Sequence, residues 1–194
     1  MSEPMGSTAD LLHARIADGR AVLAGLAALA EPVERAAALL ADALLAGRQL
    51  LCCGNGGSAA DCAHFTAEIA GRFLRERRGY PAIDLTANHA LLTALSNDYP
   101  AADVFARQVA AFGRADDVLA VFSTSGNSEN VVRALETGRA GGLATMAFLG
   151  QGGGRCRGLA DIELIVASEA TARVQEAHLL LYHTICEAID GRLA

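Results

Sequence analysis

The chain has 194 residues, of which 52% are apolar and 20% charged, and its formal net charge is −6 at pH 7. This composition is typical of a globular domain with a sizeable core, and it argues against both a disordered chain and the broad basic surface that binds nucleic acid. No apolar run reaches the roughly 20 residues that span a bilayer, and residues 1–10 lack the basic start and apolar stretch of a signal peptide. We therefore expect a cytoplasmic protein with neither nucleic acid nor a membrane as its partner.

The first part of the chain, residues 8–47, has apolar residues at helical spacing and is predicted to form two helices. The pair Glu31-Pro32 is expected to break the run, and a second helix over Val33–Ala46 is expected to end at Gly47. Both helices are long for the connections of an α/β sheet. Their alanine-rich faces could bury against another subunit.

From residue 48 onward, short apolar runs that predict strands alternate with segments that have helical periodicity. The predicted strands cover 49–53, 81–85, 118–122, 143–149 and 162–166, and the predicted helices cover 58–73, 89–96, 104–112, 127–138 and 172–189. This alternation indicates a three-layer α/β/α fold, in which a five-stranded parallel, flavodoxin-like sheet carries the N-terminal helices as an extension. Residues 1–194 are thus predicted to form a single domain, with helices over about 8–47 and the sheet core over about 48–190. Ligands of such sheets bind at the carboxyl ends of the strands.

The third predicted strand runs into a loop of small polar residues that leads into a helix. This serine loop, residues 123–128, has four hydroxyl groups and a glycine that can turn successive amides inward; the hydroxyls belong to Ser123, Thr124, Ser125 and Ser128. A helix N-terminus stabilises a phosphate without any lysine. An ordinary helix cap needs only one such side chain, so the loop predicts a phosphate site.

A second loop, Gly54–Ser58, follows the first predicted strand. It matches neither the dinucleotide pattern GxGxxG nor the nucleotide-binding pattern GxxxxGK[ST]. Asn55 and the amides of Gly56 and Gly57 could bind sugar hydroxyls, although a tight turn explains the glycines equally well.

Two groups of polar residues could hold a metal ion or move protons. His64 and Glu68 lie four apart on one helix face and could share a divalent metal, although a surface ion pair is the commoner explanation of such spacing. On the last helix, Gln175 and His183 are eight residues, about 12 Å, apart. One compact site could take both only if Gln175 lay at a frayed helix start or if two chains contributed. His183 could equally be a core histidine.

The run Cys53-Gly54-Asn55-Gly56-Gly57-Ser58-Ala59-Ala60-Asp61, followed by His64 and Glu68, closely resembles the sedoheptulose 7-phosphate isomerases. These enzymes, also called phosphoheptose isomerases, belong to the sugar isomerase (SIS) domain superfamily. Asn97-Asp98-Tyr99, the serine loop, and Gln175-Glu176 with His178 and His183 match in the same order, so the resemblance covers about residues 8–190. Ala63, Pro100 and Ala172 depart from residues that are frequent in the family, without removing an acid, base or ligand.

The resemblance implies a homotetramer with active sites at its subunit interfaces. It implies interconversion of sedoheptulose 7-phosphate and D-glycero-D-manno-heptose 7-phosphate by enediol(ate) proton transfer, the first step toward heptose for lipopolysaccharide, capsule or other surface glycans. Glu68 and His183 would be the catalytic acid–base pair. One Zn²⁺ per subunit would be bound by His64, Glu68, Gln175 and His183. Substrate contacts would come from Asn55, Gly56, Gly57, Glu68, Asn97, Asp98, Ser123, Thr124, Ser125, Ser128 and Gln175.

Two other functions are compatible with parts of this pattern. Non-catalytic SIS proteins that bind the replication initiator share the fold, but they lack the catalytic carboxylate and histidine, so Glu68 and His183 argue against that class. An isomerase for another phosphosugar, such as an amino sugar or a pentose, would also use a serine loop. The pattern from Gln175 to His183, together with His64 and Glu68, favours heptose.

Overall fold

The computed structural model describes residues 7–194 and contains one five-stranded sheet in the order β2-β1-β3-β4-β5. The strands are β1 (Leu50–Gly54), β2 (Ala82–Asp84), β3 (Val118–Ser123), β4 (Ala144–Leu149) and β5 (Ile162–Ile165). The helices are α1 (Thr8–Gly25), α2 (Ala30–Leu45), α3 (Gly57–Ala70), α4 (His89–Asp98), α5 (Val104–Phe112), α6 (Glu129–Ala140) and α7 (Thr171–Leu193). Short 3₁₀ segments cover Leu26–Leu29, Ala101–Asp103 and Gln151–Cys156.

All four strand pairs are parallel, and the strand order is that of a doubly wound, flavodoxin-like sheet, which confirms the predicted fold class. Side chains alternate between the two faces of each strand. In β1, Leu50 and Cys52 pack with α2, α3 and α7, whereas Leu51 and Cys53 pack with α5 and α6. The sheet is therefore buried on both sides, as its continuous apolar strands require.

The break between the N-terminal helices lies earlier than predicted. The chain leaves the α-helix at Leu26–Leu29, whereas Glu31 and Pro32 lie in the first turn of α2. Proline is tolerated there because its missing N–H would have no intrahelical partner. Helix α2 then buries one face against the sheet, formed by Ala36, Ala37, Leu40, Ala41 and Leu44.

Helix α1, like the shorter α4, has no buried residue. Val22 of α1 packs against the core, whereas Leu11, Leu12 and Ile16 face outward and are each at least half exposed. Within residues 7–194, no helix is both long and apolar enough to cross a membrane. The cytoplasmic location expected from the sequence stays a prediction.

The parallel sheet brings the two predicted loops together. Strands β1 and β3 are neighbours, with Gly54 opposite Phe122 at their carboxyl ends. The loop after β1 leads into α3, and the serine loop after β3 leads into α6. Helix α7 packs beside α3 on one face of the sheet, so residues from the end of the chain reach the same region.

Candidate functional site

The serine loop forms a small pocket at the end of β3. The pocket has a volume of about 100 Å³ and is lined by Asn55, Ser58, Phe122, Ser123, Thr124, Ser125 and Ser128. Ser128 is the N-cap residue of α6, yet its side chain makes no capping hydrogen bond to the described residues. Helix capping therefore does not account for this hydroxyl, which stays available to a ligand beside the positive end of the helix dipole.

The serine loop is braced by the glycine-rich 3₁₀ segment at 151–156. The amide of Cys156 donates to the carbonyl oxygen of Gly126 at 2.9 Å, and the amide of Arg155 donates to Asn127 Oδ1 at 3.1 Å. Gly126 has a φ of 63°, and a methyl group at this position would lie 2.0 Å from the carbonyl oxygen of Gly153. Only glycine fits this position, so Gly126 permits the close approach of the 151–156 segment that braces the loop.

An amide pair joins the two loops. The side-chain amides of Asn55 and Asn130 each donate to the other, both at 2.9 Å. Asn130 lies two residues after the serine loop. Sequence analysis did not identify it as a site residue, because its partner, Asn55, is 75 residues away. Beyond this pair lies a wider cavity of about 700 Å³, whose polar lining includes Asn55, Asp84, Thr86, His89, Ser96 and Asn130. Asn97 and Asp98, the predicted substrate contacts, are exposed and bind each other at 2.8 Å, outside both cavities.

Three predicted site residues come together between α3 and α7. His64 Nε2 lies 3.1 Å from Glu68 Oε1 and 3.4 Å from His183 Nε2. Ligand atoms of all three residues lie within 4.8 Å of one another. Two imidazole nitrogens and a carboxylate oxygen are donors that zinc prefers, and a tetrahedral zinc site has donor–donor edges of about 3.4 Å. The donor set and its spacing therefore fit the expected metal.

The surroundings of this cluster affect its proton affinity. Burial lowers the pKa of His183, and the nearby His64 lowers it further, while Glu68 acts in the opposite direction. A lowered pKa keeps His183 neutral near neutral pH, which is the state that accepts a proton or binds a metal. Burial also raises the pKa of Asp61 to about 6, with His64 opposing that rise. Asp61 Oδ2 is buried and has no hydrogen-bond partner among residues 7–194.

Side chains that the sequence did not single out hold the cluster in place. The hydroxyl of Tyr182 lies 2.9 Å from His64 Nδ1. The Arg77 guanidinium donates to the carbonyl oxygen of Glu68 at 2.8 Å and pairs with Asp190 of α7 at 2.9 Å. Sequence spacing gave no signal for these contacts, because Tyr182 and Asp190 are more than 110 residues from their partners.

Gln175 lies apart from the other predicted zinc ligands. Helix α7 begins at Thr171, so Gln175 is in its second turn rather than at a frayed start. Its amide packs against Gly57, and a methyl group on Gly57 would lie 2.1 Å from Gln175 Nε2. Gly57 precedes His64 by seven residues, about 10 Å along α3, so the Gln175 amide lies about two helical turns from His64. The role of Gln175 as a zinc ligand therefore stays a prediction.

His178, which also matches the family pattern, is a core residue. It is fully buried, and its Nε2 contacts the carbonyl oxygen of Leu149 at the end of β4 at 3.2 Å. Burial lowers its pKa to about 4. His178 is therefore a neutral residue that ties α7 to the sheet, and it lies outside the His64–Glu68–His183 cluster.

Comparison with known proteins gives consistent matches. The family model of the SIS domain matches residues 5–150. The phosphoheptose isomerase of Geobacter sulfurreducens is 47% identical, and the alignment covers 95% of this chain and 98% of the relative. The phosphoheptose isomerase of Aliarcobacter butzleri is 48% identical, and the alignment covers 84% of this chain and 87% of the relative. The structure of phosphoheptose isomerase from Neisseria gonorrhoeae has a TM-score of 0.90 at 38% identity and covers 95% of this chain and all of that one. The structure of a phosphoheptose isomerase from Francisella tularensis has a TM-score of 0.92 at 36% identity and covers 96% of this chain and all of that one.

Proposed function

This chain belongs to the phosphoheptose isomerases of the SIS domain family, and we propose that it interconverts sedoheptulose 7-phosphate and D-glycero-D-manno-heptose 7-phosphate. It is thus an aldose–ketose isomerase, and its product would enter heptose biosynthesis for surface glycans. The observation that carries the proposal is the cluster of Glu68 with two imidazoles in a fold whose strand ends also form a hydroxyl-lined pocket.

The serine-loop pocket is proposed to bind the substrate phosphate. Ser123, Thr124, Ser125 and Ser128 would donate hydroxyl hydrogen bonds, and the N-terminus of α6 would add its partial positive charge. Because the loop is braced by the 151–156 segment, little conformational entropy is lost when the phosphate binds. The phosphate would bind far from the reacting carbons, so the role of this pocket would be to orient the sugar.

The proton transfer is proposed to use Glu68 and His183. Isomerisation moves a proton between C1 and C2 of the open-chain sugar, so a base must take a carbon-bound proton and an acid must protonate a carbonyl oxygen. The partly buried Glu68 suits the base, and the neutral His183 suits the partner that moves protons among the oxygens. A zinc ion held by His64, Glu68 and His183 would supply polarisation of the substrate carbonyl.

We further propose a homotetramer in which neighbouring chains share each active site. Gln175 lies in the second turn of α7, beside Gly57, and not with the cluster of its own chain. Donation of Gln175 by a neighbouring chain would reconcile its position with the expected four ligands. The outward apolar side chains of α1 are a surface that a second copy would cover.

The test of this function is a comparison of substrates with the purified full chain. We expect turnover of sedoheptulose 7-phosphate to its aldose, and much lower kcat/KM with ribulose 5-phosphate or an amino sugar phosphate. A preference for either of the other phosphosugars would replace the heptose assignment with the alternative isomerase.

A further inference from the structure

Tyr182 combines a core aromatic ring with a hydroxyl that meets the cluster. The residue is fully buried, and its ring stacks on Phe65 with centroids 5.5 Å apart. The hydroxyl lies 2.9 Å from His64 Nδ1, while the next residue in the chain, His183, contributes its Nε2 to the same cluster. One turn of α7 thus contributes His183 to the cluster and places the Tyr182 hydroxyl against Nδ1 of His64.

The two nitrogens of His64 therefore face different partners. Nε2 points toward Glu68 Oε1 at 3.1 Å and His183 Nε2 at 3.4 Å, and Nδ1 points toward the Tyr182 hydroxyl. Histidines that bind metals usually engage their second nitrogen in a hydrogen bond, which fixes the orientation of the ring. A hydroxyl can either donate or accept. Tyr182 can therefore hold the imidazole whether Nε2 carries a hydrogen or offers its lone pair.

We propose that Tyr182 is a positioning residue that holds His64 with Nε2 aimed at the space shared with Glu68 and His183, where a divalent cation binds. This inference rests on the proposed metal site. The Phe65 stack and the surrounding core fix the tyrosine ring, so its oxygen is a rigid anchor for an imidazole on a half-exposed helix face.

A purely structural role would have a different signature. A buried tyrosine hydroxyl needs a hydrogen-bond partner, and His64 could simply fill that need. In that case, removal of the oxygen would change the stability of the fold and leave the affinity for metal unchanged. Metal affinity and melting temperature therefore separate the two roles.

The experiment uses the zinc-loaded full chain and a chelator of known affinity. Tyr182→Phe removes the oxygen and keeps the ring. We expect zinc to be lost to the chelator with an apparent Kd about 10-fold or more above that of the wild type, while the melting temperature measured without metal stays nearly unchanged. Tyr80→Phe is the matched control, because Tyr80 is also buried but donates its hydroxyl hydrogen to the carbonyl oxygen of Leu193. It should leave the Kd unaltered.

The outcomes that overturn the inference are distinct from a failure of the proposed function. An unchanged Kd in Tyr182→Phe, or a wild type that holds no zinc, refutes the positioning role even if sedoheptulose 7-phosphate is isomerised. Loss of the metal-free melting transition would assign Tyr182 to the core alone. A weakened Kd in a chain that does not isomerise the heptose would keep the positioning role and refute the function.

Discussion

Glu68 and His183 belong to one cluster but have different environments. The Glu68 side chain is 22% exposed and borders His64, whereas burial and the nearby His64 lower the pKa of His183. Glu68 is proposed to take the carbon-bound proton, while His183 would accept a proton from one substrate oxygen and return it to another. Substitution of these two side chains therefore tests the proposed chemistry.

Replacement of either residue should abolish most of the turnover. Glu68→Gln and His183→Gln keep the size of the side chain and remove its ability to exchange a proton, so we expect kcat to fall on the order of a hundredfold or more. Steady-state kinetics with sedoheptulose 7-phosphate measures the effect. Glu76→Gln is the control, because the Glu76 side chain is 90% exposed and, among residues 7–194, forms an ion pair only with Arg72. Near-normal kcat in either cluster variant would remove that residue from the mechanism.

His178 should make the fold sensitive to acid. Its pKa is about 4 in the folded chain against 6.5 for an ordinary histidine, so only the unfolded chain takes up the proton between these values. Stability is complete above about pH 6.5 and falls by about 3 kcal/mol as the pH drops to about 4. Urea unfolding of the wild type and of His178→Gln at fixed protein concentration should show a smaller pH dependence for the variant. Equal slopes would contradict a buried neutral His178.

At the scale of elements, the positions of α3 and α7 decide whether the cluster forms. Arg77 donates to the carbonyl oxygens of Glu68, Ile69 and Gly71 at the end of α3, and its guanidinium pairs with Asp190 on α7. Both side chains of the pair are at most 2% exposed. The pair thus satisfies a helix end and fixes its distance to the helix that carries His183.

Removal of one partner should destabilise the chain strongly. Asp190→Asn leaves the buried Arg77 charge without its counterion, and we expect a loss of about 3–5 kcal/mol in the free energy of unfolding. The exposed pair of Arg192 and Asp42 is the matched control, for which Asp42→Asn should cost at most about 1 kcal/mol. Denaturant unfolding at fixed protein concentration measures both. Similar losses for the two variants would show that the buried pair contributes no more than a surface pair.

The elements also show what the sequence can predict. Five mostly apolar runs correspond to the five strands within one residue at each end, because parallel strands covered by helices on both faces are mostly apolar. Only the edge strands, β2 and β5, contain a charged residue, Asp84 and Glu163. The helix break was misplaced because Pro32 fits the first turn of α2, and no local signal marked Leu26–Leu29. The predicted end of α3 at Phe73 was also three residues too late, since Ala70 is the last residue of the helix.

At the scale of the whole molecule, a single chain leaves the proposed site incomplete. Sequence spacing predicted His64 and Glu68 on one helix face and gave two ways for Gln175 and His183 to share a site. The contacts of Tyr182 and Asp190 could not be predicted, because they depend on how α3 and α7 align across more than 110 residues. The proposed donation of Gln175 by a neighbouring chain likewise depends on how the chains assemble.

Co-expression of complementary variants tests the shared site. If Gln175 acts in the cluster of a neighbouring chain, Gln175→Ala and His183→Gln chains, each inactive alone, should form mixed oligomers in which some sites have both residues intact. Turnover should then exceed that of either variant by itself. Glu68→Gln mixed with His183→Gln is the control, because both residues lie in one chain's cluster and no mixed site regains the pair. No recovery in the first mixture would contradict the shared site.

Proton transfer between C1 and C2 of a phosphorylated heptose can be followed directly. Sedoheptulose 7-phosphate incubated with the purified, zinc-loaded chain can be followed by ¹H NMR, with Glu68→Gln in parallel. We predict that the ketose signals decline and the signals of D-glycero-D-manno-heptose 7-phosphate appear with the wild type, at a rate reduced on the order of a hundredfold or more in the variant. Ketose signals that stay unchanged with the folded, metal-loaded wild type would contradict the proposed isomerase activity.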